Sequence, residues 1–324
     1  MKKILKFMVV VLICGALFLT GCNADTGVAT QEPTKEPTLK ELVEVFKNVD
    51  INYYVSAVKK AFKGLSNVQK QDLENFKKGI EENYSNVTLP SKDAKYTKVT
   101  DMGRLTCYPS TTDANDAIII IKDVTLNTNT KENITIVALQ GTDFADGQAT
   151  GFVEDLLSGL ELNNYYLYDA YRAIVDNVEP GEKLLITGVS LGGMVGQQLA
   201  GLDIIKEKYD VMNVVALGSP MISPEKIDYN ETSVVRICDS NDLVPHLSQS
   251  ATKEDLEKNV KIERQSTYKS FISAHAFSYV NDELWKNIDV LGKEDGSSFV
   301  TFENSEVNVY AAKNYKAYKD KKSK

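Results

Sequence analysis

The chain changes texture several times, and each texture predicts a different kind of element. Lys2, Lys3 and Lys6 lead into an apolar run from Phe7 to Leu19. A basic start before a short apolar run is the layout of an export signal, here residues 1–21, and the run is shorter than the about 20 residues a membrane-spanning helix needs. Residues 22–38, rich in Thr and Glu and broken by Pro33 and Pro37, cannot bury a core and read as a solvated tether. Thr38 and Glu41 form a capping box ahead of Leu39, Leu42, Val43, Phe46 and Val49 at helical spacing. Further helical spacing covers about 53–62 and 68–84, with Gly64 as a stop between them, so residues 39–90 are expected to be a helical cap or extension.

From about Tyr96 the pattern becomes one of short apolar runs. Ala117–Val124 and Ile134–Leu139 are β-branched and continuous, the mark of strands buried on both faces. Lys183–Thr187, Val211–Leu217 and Val234–Cys238 read as further strands, and Tyr165–Val178 and Gly193–Lys206 as helices. Strand and helix alternate, which predicts an α/β domain over 91–311 with a doubly wound, mostly parallel sheet. Residues 312–324 form a Lys-rich tail.

Composition narrows the chemistry. The 324 residues are 43% hydrophobic and 25% charged, enough for a sizeable core. A net charge of -8 argues against nucleic acid as a partner, because phosphate rewards basic patches. The four cysteines, Cys14, Cys22, Cys107 and Cys238, have no metal-type spacing, and no metal or organic cofactor is expected. Leu19-Thr20-Gly21-Cys22 resembles the bacterial lipobox, in which the cysteine is lipidated and the preceding bond is cut. Several acyl chains on Cys22 would hold an exported protein at the outer face of the cell membrane. Cys107 and Cys238 would remain as buried thiols or as a disulfide.

The candidate chemistry lies at Leu184-Leu185-Ile186-Thr187-Gly188-Val189-Ser190-Leu191-Gly192-Gly193. A strand ends in Gly-x-Ser-x-Gly and a helix follows, the context of a nucleophile elbow. Glycine at 188 and 192 removes β-carbons that would collide across so sharp a turn. A serine hydroxyl is a weak nucleophile until a base takes its proton, and a third group must orient that base. In α/β-hydrolases the chain order is Ser, then an acid, then His. Asp242 follows the strand ending at Cys238, with Asp239 as a rival in the same loop. Of the two histidines only His275 comes after that loop, whereas His246 is too close to Asp242 to face both the acid and the serine. Two oxyanion donors are expected: the amide of Leu191, and Thr142 in the turn Gln140-Gly141-Thr142 after an earlier strand.

Taken together, these segments resemble the class 3 lipases, fungal-lipase-like α/β-hydrolases that include feruloyl esterases. Thr187-Gly188-Val189-Ser190-Leu191-Gly192-Gly193 is similar to the family's T-G-H-S-L-G-G, and Gly218-Ser219-Pro220 to its G-S-P. Val235-Arg236 through Asp242-Leu243-Val244-Pro245-His246-Leu247 is similar to its R-x(n)-D-x-V-P-H-L-P stretch, where the aspartate is catalytic and the nearby histidine is not. Gln140-Gly141-Thr142 resembles its R-G-[ST] segment, and His275 with Tyr279 its final histidine block. The likeness spans about Ile134 to Val280. Val189 and Gln140 depart from the family's histidine and arginine, and the interval from Asp242 to His275 is shorter. The resemblance implies an α/β-hydrolase fold and a lid, which would fall at Phe144–Leu160 with Phe152, Val153, Leu156, Leu157 and Leu160 as its apolar stripe. The expected activity is that of a serine ester hydrolase, a lipase or carboxylesterase acting on acyl-lipid or other carboxylic esters. The alternative is a non-catalytic ligand-binding or envelope-interaction lipoprotein on the same scaffold.

Overall fold

Four isoleucines in a row, Ile118 to Ile121, carry the logic of the sheet. Successive strand residues face opposite sides, and Ile118 and Ile120 enter one apolar cluster while Ile119 and Ile121 enter another. All four are fully buried. Each such burial contributes about 1.5–3 kcal/mol, so this strand is anchored in two cores at once.

The computed structural model describes residues 38, 70–84, 87–108, 117–141, 165–221, 227–246 and 260–314. Its strands are β1 (Lys95–Tyr96), β2 (Ile118–Asn127), β3 (Lys131–Leu139), β4 (Lys183–Val189), β5 (Asp210–Leu217), β6 (Ser233–Asp239), β7 (Val260–Arg264), β8 (Phe299–Thr301) and β9 (Glu306–Tyr310). The helices are α1 (Lys70–Tyr84), α2 (Val99–Cys107), α3 (165–177), α4 (Leu191–Ala200), α5 (Asp203–Lys208) and α6 (Phe271–Phe277). All of these lie in the compact unit Thr38–Lys324. No helix among the described residues is long and apolar enough to cross a membrane.

Strands β3 to β7 pair in parallel and in chain order. Helices cover both faces: α3, α4, α6 and α1 contribute to one core, and α2 with Trp285 and Ile288 to the other. The fold is mixed α/β and compatible with that of an α/β-hydrolase.

The expectation of a mostly parallel sheet holds only for this half. Strand β2 pairs antiparallel with β3, β8 and β9, and β1 pairs antiparallel with β8. The reason is local. Residues 128–130 join β2 to β3, and so short a turn can reverse the chain but cannot cross over the sheet. Asp123, at φ 55°, makes a bulge where the β2 register shifts. Beyond a bulge a strand bends, and one edge of β2 is shared, β9 pairing at Ile118–Lys122 and β8 at Thr125–Asn127.

A second expectation, one helix over 193–206, is also corrected. Two helices, α4 and α5, break at Gly201 and Leu202, because Leu202 turns extended (φ -79°, ψ 120°) to bury its side chain. Helix α1 falls within the predicted 68–84 stretch. The helices expected at 39–49 and 53–62, the signal and tether with Cys22, the lid stretch 144–160 and the tail beyond 314 lie outside the described residues. Cys107 and Cys238 are free and buried, and burial pushes each thiol up to about 11.

Candidate active site

The elbow forms at the carboxyl end of β4, between its parallel neighbours β3 and β5. Ser190 sits between Val189, the last residue of β4, and Leu191, the first of α4, at φ 52° and ψ -118°. A non-glycine residue at positive φ costs on the order of 1–3 kcal/mol and persists only where its surroundings enforce it. Here they do. The Ser190 amide donates to the Leu217 carbonyl at the end of β5 (2.8 Å), and the Ser190 carbonyl accepts from the Met194 amide in α4 (3.1 Å).

The two glycines chosen from sequence sit where no β-carbon fits. A β-carbon on Gly188 would lie 2.3 Å from the Gly192 carbonyl carbon, and one on Gly192 would lie 2.2 Å from the Leu139 carbonyl oxygen. That second contact brings the end of β3 against the start of α4. Gly141 continues the same approach: its β-carbon would lie 2.9 Å from the Val189 carbonyl oxygen and 3.1 Å from Ser190 Cβ. The loop after β3 therefore runs beside the serine. Its backbone is pinned from behind, since the Gln140 amide donates to the Ala117 carbonyl (2.9 Å) and the Tyr166 hydroxyl lies 2.8 Å from the Ala117 and 3.0 Å from the Gln140 carbonyl oxygens. Thr142 itself lies outside the described residues. The Leu191 amide is at the first position of α4, among the N–H groups a helix leaves without an intrahelical acceptor. The positive end of the helix dipole lies at the same place.

His275, on α6, meets this serine. Its Nε2 is 2.9 Å from Ser190 Oγ and its Nδ1 is 2.7 Å from Asp242 Oδ2. All three residues are buried, with Ser190 and Asp242 at 0% exposure. An ionised carboxylate only accepts, so Asp242 fixes the proton on Nδ1 and leaves the Nε2 lone pair for the serine hydroxyl. Asp242 is itself held on every side. Its Oδ1 accepts from the Val244 amide (2.9 Å), and its Oδ2 accepts from the Tyr279 hydroxyl (2.6 Å) as well as from His275.

Tyr279 is the residue that sequence reading left without a role. It lies on the 3-10 turn Ser278–Val280 that follows α6, so the same short segment delivers both the imidazole and the phenol. Burial, then the negative charge of Asp242, pushes the phenol far above its ordinary value, so it stays a donor. Its ring stacks on Trp285 (6.3 Å, 8° between planes). The only sequence signal for it was its place beside His275 in the family-like block, and no pattern ties a tyrosine at that position to an aspartate in another loop.

The rivals are placed elsewhere. Asp239 Oδ1 accepts from the Asn241 and Ser266 amides (3.0 and 3.1 Å), shaping the turn that leads to Asp242. His246, on the 3-10 turn Val244–His246, points its Nε2 toward Glu263 at 3.7 Å, and burial followed by the nearby Lys261 charge lowers its affinity for a proton. Among the described residues no group of three or more His, Cys, Asp or Glu side chains is placed to hold a metal ion.

A comparison with curated proteins returns no match. A comparison with family models does: the matched stretch runs from the β2–β3 turn through the elbow and Asp242. Residues 129–252 match the family model of lipase (class 3), to which this stretch of the chain is similar.

Proposed function

We propose that the protein is a serine ester hydrolase, with Ser190 as nucleophile, His275 as general base and acid, and Asp242 as the group that orients the imidazole. The observation that carries this reading is the unbroken run of hydrogen bonds from Ser190 Oγ through His275 to Asp242, 2.9 and 2.7 Å long, ending on a serine held at positive φ. In the reaction His275 Nε2 takes the serine proton as Oγ attacks the ester carbonyl. The carbonyl oxygen becomes an oxyanion, and the amides of Leu191 and Thr142 are the donors assigned to it. His275, now doubly protonated, gives its proton to the departing alcohol, leaving an acyl-enzyme. Water then repeats the sequence and frees the acid. The substrate class is a carboxylic ester, with an acyl lipid favoured by the likeness of residues 129–252 to a lipase family.

The test is reaction of the full chain with a fluorophosphonate probe and with esters graded by acyl length. Probe on a single serine, found at Ser190 by mass spectrometry, together with ester turnover, is the expected result. Because Ser190 is fully buried, both are measured with and without detergent micelles. A folded protein that neither labels nor turns over any ester in either condition removes the enzyme reading in favour of a binding module.

Within this mechanism Tyr279 is a positioning residue. Losing a hydrogen bond to a charged group costs about 1.5–3 kcal/mol. Tyr279→Phe is expected to lower kcat by about tenfold, the equivalent of some 1.4 kcal/mol, with KM little changed. An unchanged kcat would show that Val244 and His275 hold the carboxylate unaided.

We also propose lipid attachment at Cys22, supported by the basic start, the apolar run and Leu19-Thr20-Gly21-Cys22. Cys22→Ser should shift the protein from the detergent phase to the aqueous phase in a partition assay. Equal partitioning of the two forms would remove the anchor.

A further inference from the structure

Helix α1 lies outside the family-matched residues 129–252, yet it packs on the helix that carries His275. Phe277, in the last turn of α6, is enclosed by aromatic rings, with Phe76 at 5.4 Å and Tyr84 and Tyr268 each at 6.0 Å between centroids. Gly79 admits the Phe277 ring so closely that a β-carbon there would lie 2.5 Å from Cε2. The Tyr84 hydroxyl donates to the carbonyl of Ala276, the residue after His275 and 192 positions along the chain.

These contacts bear on a helix that cannot hold its own position. Helix α6 has seven residues and no side-chain hydrogen bond at its N-cap. Isolated helices of this length are unstable in water, so tertiary contacts must set its position. The Ala276 carbonyl is one of the last four, which a helix leaves without internal donors. Tyr84 supplies the donor. Burial, then the Cys107 thiol, raises the Tyr84 phenol well above its usual range, so it keeps its proton and goes on donating.

We propose that helix α1 of the amino-terminal extension is a positioning element for the reaction, with Tyr84, Gly79 and Phe76 seating helix α6 so that His275 bridges Ser190 and Asp242. The proposal rests on the hydrolase reading. Its effect is on rate, since a shift of about 1 Å in a reacting group can cost on the order of 100-fold.

The experiment compares the full-length protein with Tyr84→Phe, Gly79→Ala, the double variant Gly79→Ala/Phe277→Leu, and Tyr209→Phe. Tyr209 is a matched control, a buried tyrosine whose hydroxyl donates to the Val178 carbonyl (3.1 Å), apart from the site. Four quantities are read: fluorophosphonate labelling rate, kcat and KM for ester hydrolysis, and the imidazole N–H resonance of His275, which is easily assigned in a chain with two histidines. Tyr84→Phe and Gly79→Ala should each slow labelling and kcat by about tenfold or more, leave KM near its original value and move the His275 resonance. The double variant, relieved of the clash, should recover most of the rate. Tyr209→Phe should lower thermal stability while leaving rate and resonance alone.

Wild-type rates and an unmoved resonance in both α1 variants would overturn the proposal. So would a Tyr209→Phe variant that loses rate equally, since the effect would then be one of general stability. If Tyr84→Phe fails to fold, Gly79→Ala and its double variant carry the test. If the unaltered protein never labels, the hydrolase reading falls separately, and the resonance still decides whether α1 sets His275.

Discussion

Ser190→Ala should abolish ester hydrolysis and fluorophosphonate labelling, by on the order of 10⁶-fold in kcat, without unfolding the protein. The size follows from the proposed mechanism. Without Oγ there is no acyl-enzyme, and what remains is the acceleration that the oxyanion donors and substrate binding give to direct attack by water. The fold should tolerate the change because the strained backbone at φ 52° is as costly for alanine as for serine. The hydrogen bonds that hold the elbow, from the Ser190 amide to Leu217 and from Met194 to the Ser190 carbonyl, belong to the main chain. His275→Ala should cost about as much, and the double variant no more than either single one, because in that mechanism the pair acts as one unit. Initial rates on an ester, with circular dichroism to confirm folding, check all three. A Ser190→Ala protein with an appreciable fraction of the original rate would mean that another nucleophile does the chemistry.

The second large effect is expected from Asp242→Asn, about 10⁴-fold in kcat. An asparagine side chain fits the same space but presents one oxygen and one NH₂ group. The Val244 amide requires an acceptor at one end, and His275 and Tyr279 require one at the other. Whichever way the amide turns, one donor faces another donor. With NH₂ toward His275, the imidazole accepts at Nδ1, its proton moves to Nε2, and it can no longer take the proton of Ser190. Labelling rate and kcat/KM read the loss. Some stability should go too, since a buried unpaired donor costs about 1–3 kcal/mol. A variant as fast as the original would show that the imidazole is oriented by something other than Asp242.

The two replacements also separate what each residue's local sequence contains. The elbow at Ser190 is written within about ten residues: an apolar strand, two glycines at fixed offsets and a small-residue helix start. Its geometry is a matter of steric fit between near neighbours, as the 2.3 Å approach at Gly188 shows. The strands were legible for the same reason, because burial on both faces requires an unbroken apolar run and Ile118–Ile121 supply one. The split at Leu202 was not legible. Helical spacing continues across it, and only a distant core that accepts Leu202 makes the extended backbone worthwhile.

The sequence by itself determined the α/β alternation, the position of the elbow, and a short set of acids and bases in the order Ser, Asp, His. Tertiary structure decided that Asp242, and not its rival Asp239, meets His275. His275 reaches Ser190 across 85 positions and Asp242 across 33, and Tyr84 reaches Ala276 across 192. It also decided three of the four antiparallel pairings, through strands β8 and β9, which return to the sheet beside β1 and β2 from the far end of the chain. The physical reason is one of range. Backbone sterics and hydrophobic alternation act over a few residues and leave a periodic trace. A hydrogen bond between side chains depends on where whole elements are packed, so Tyr279 on Asp242 and α1 against α6 leave no such trace in the sequence.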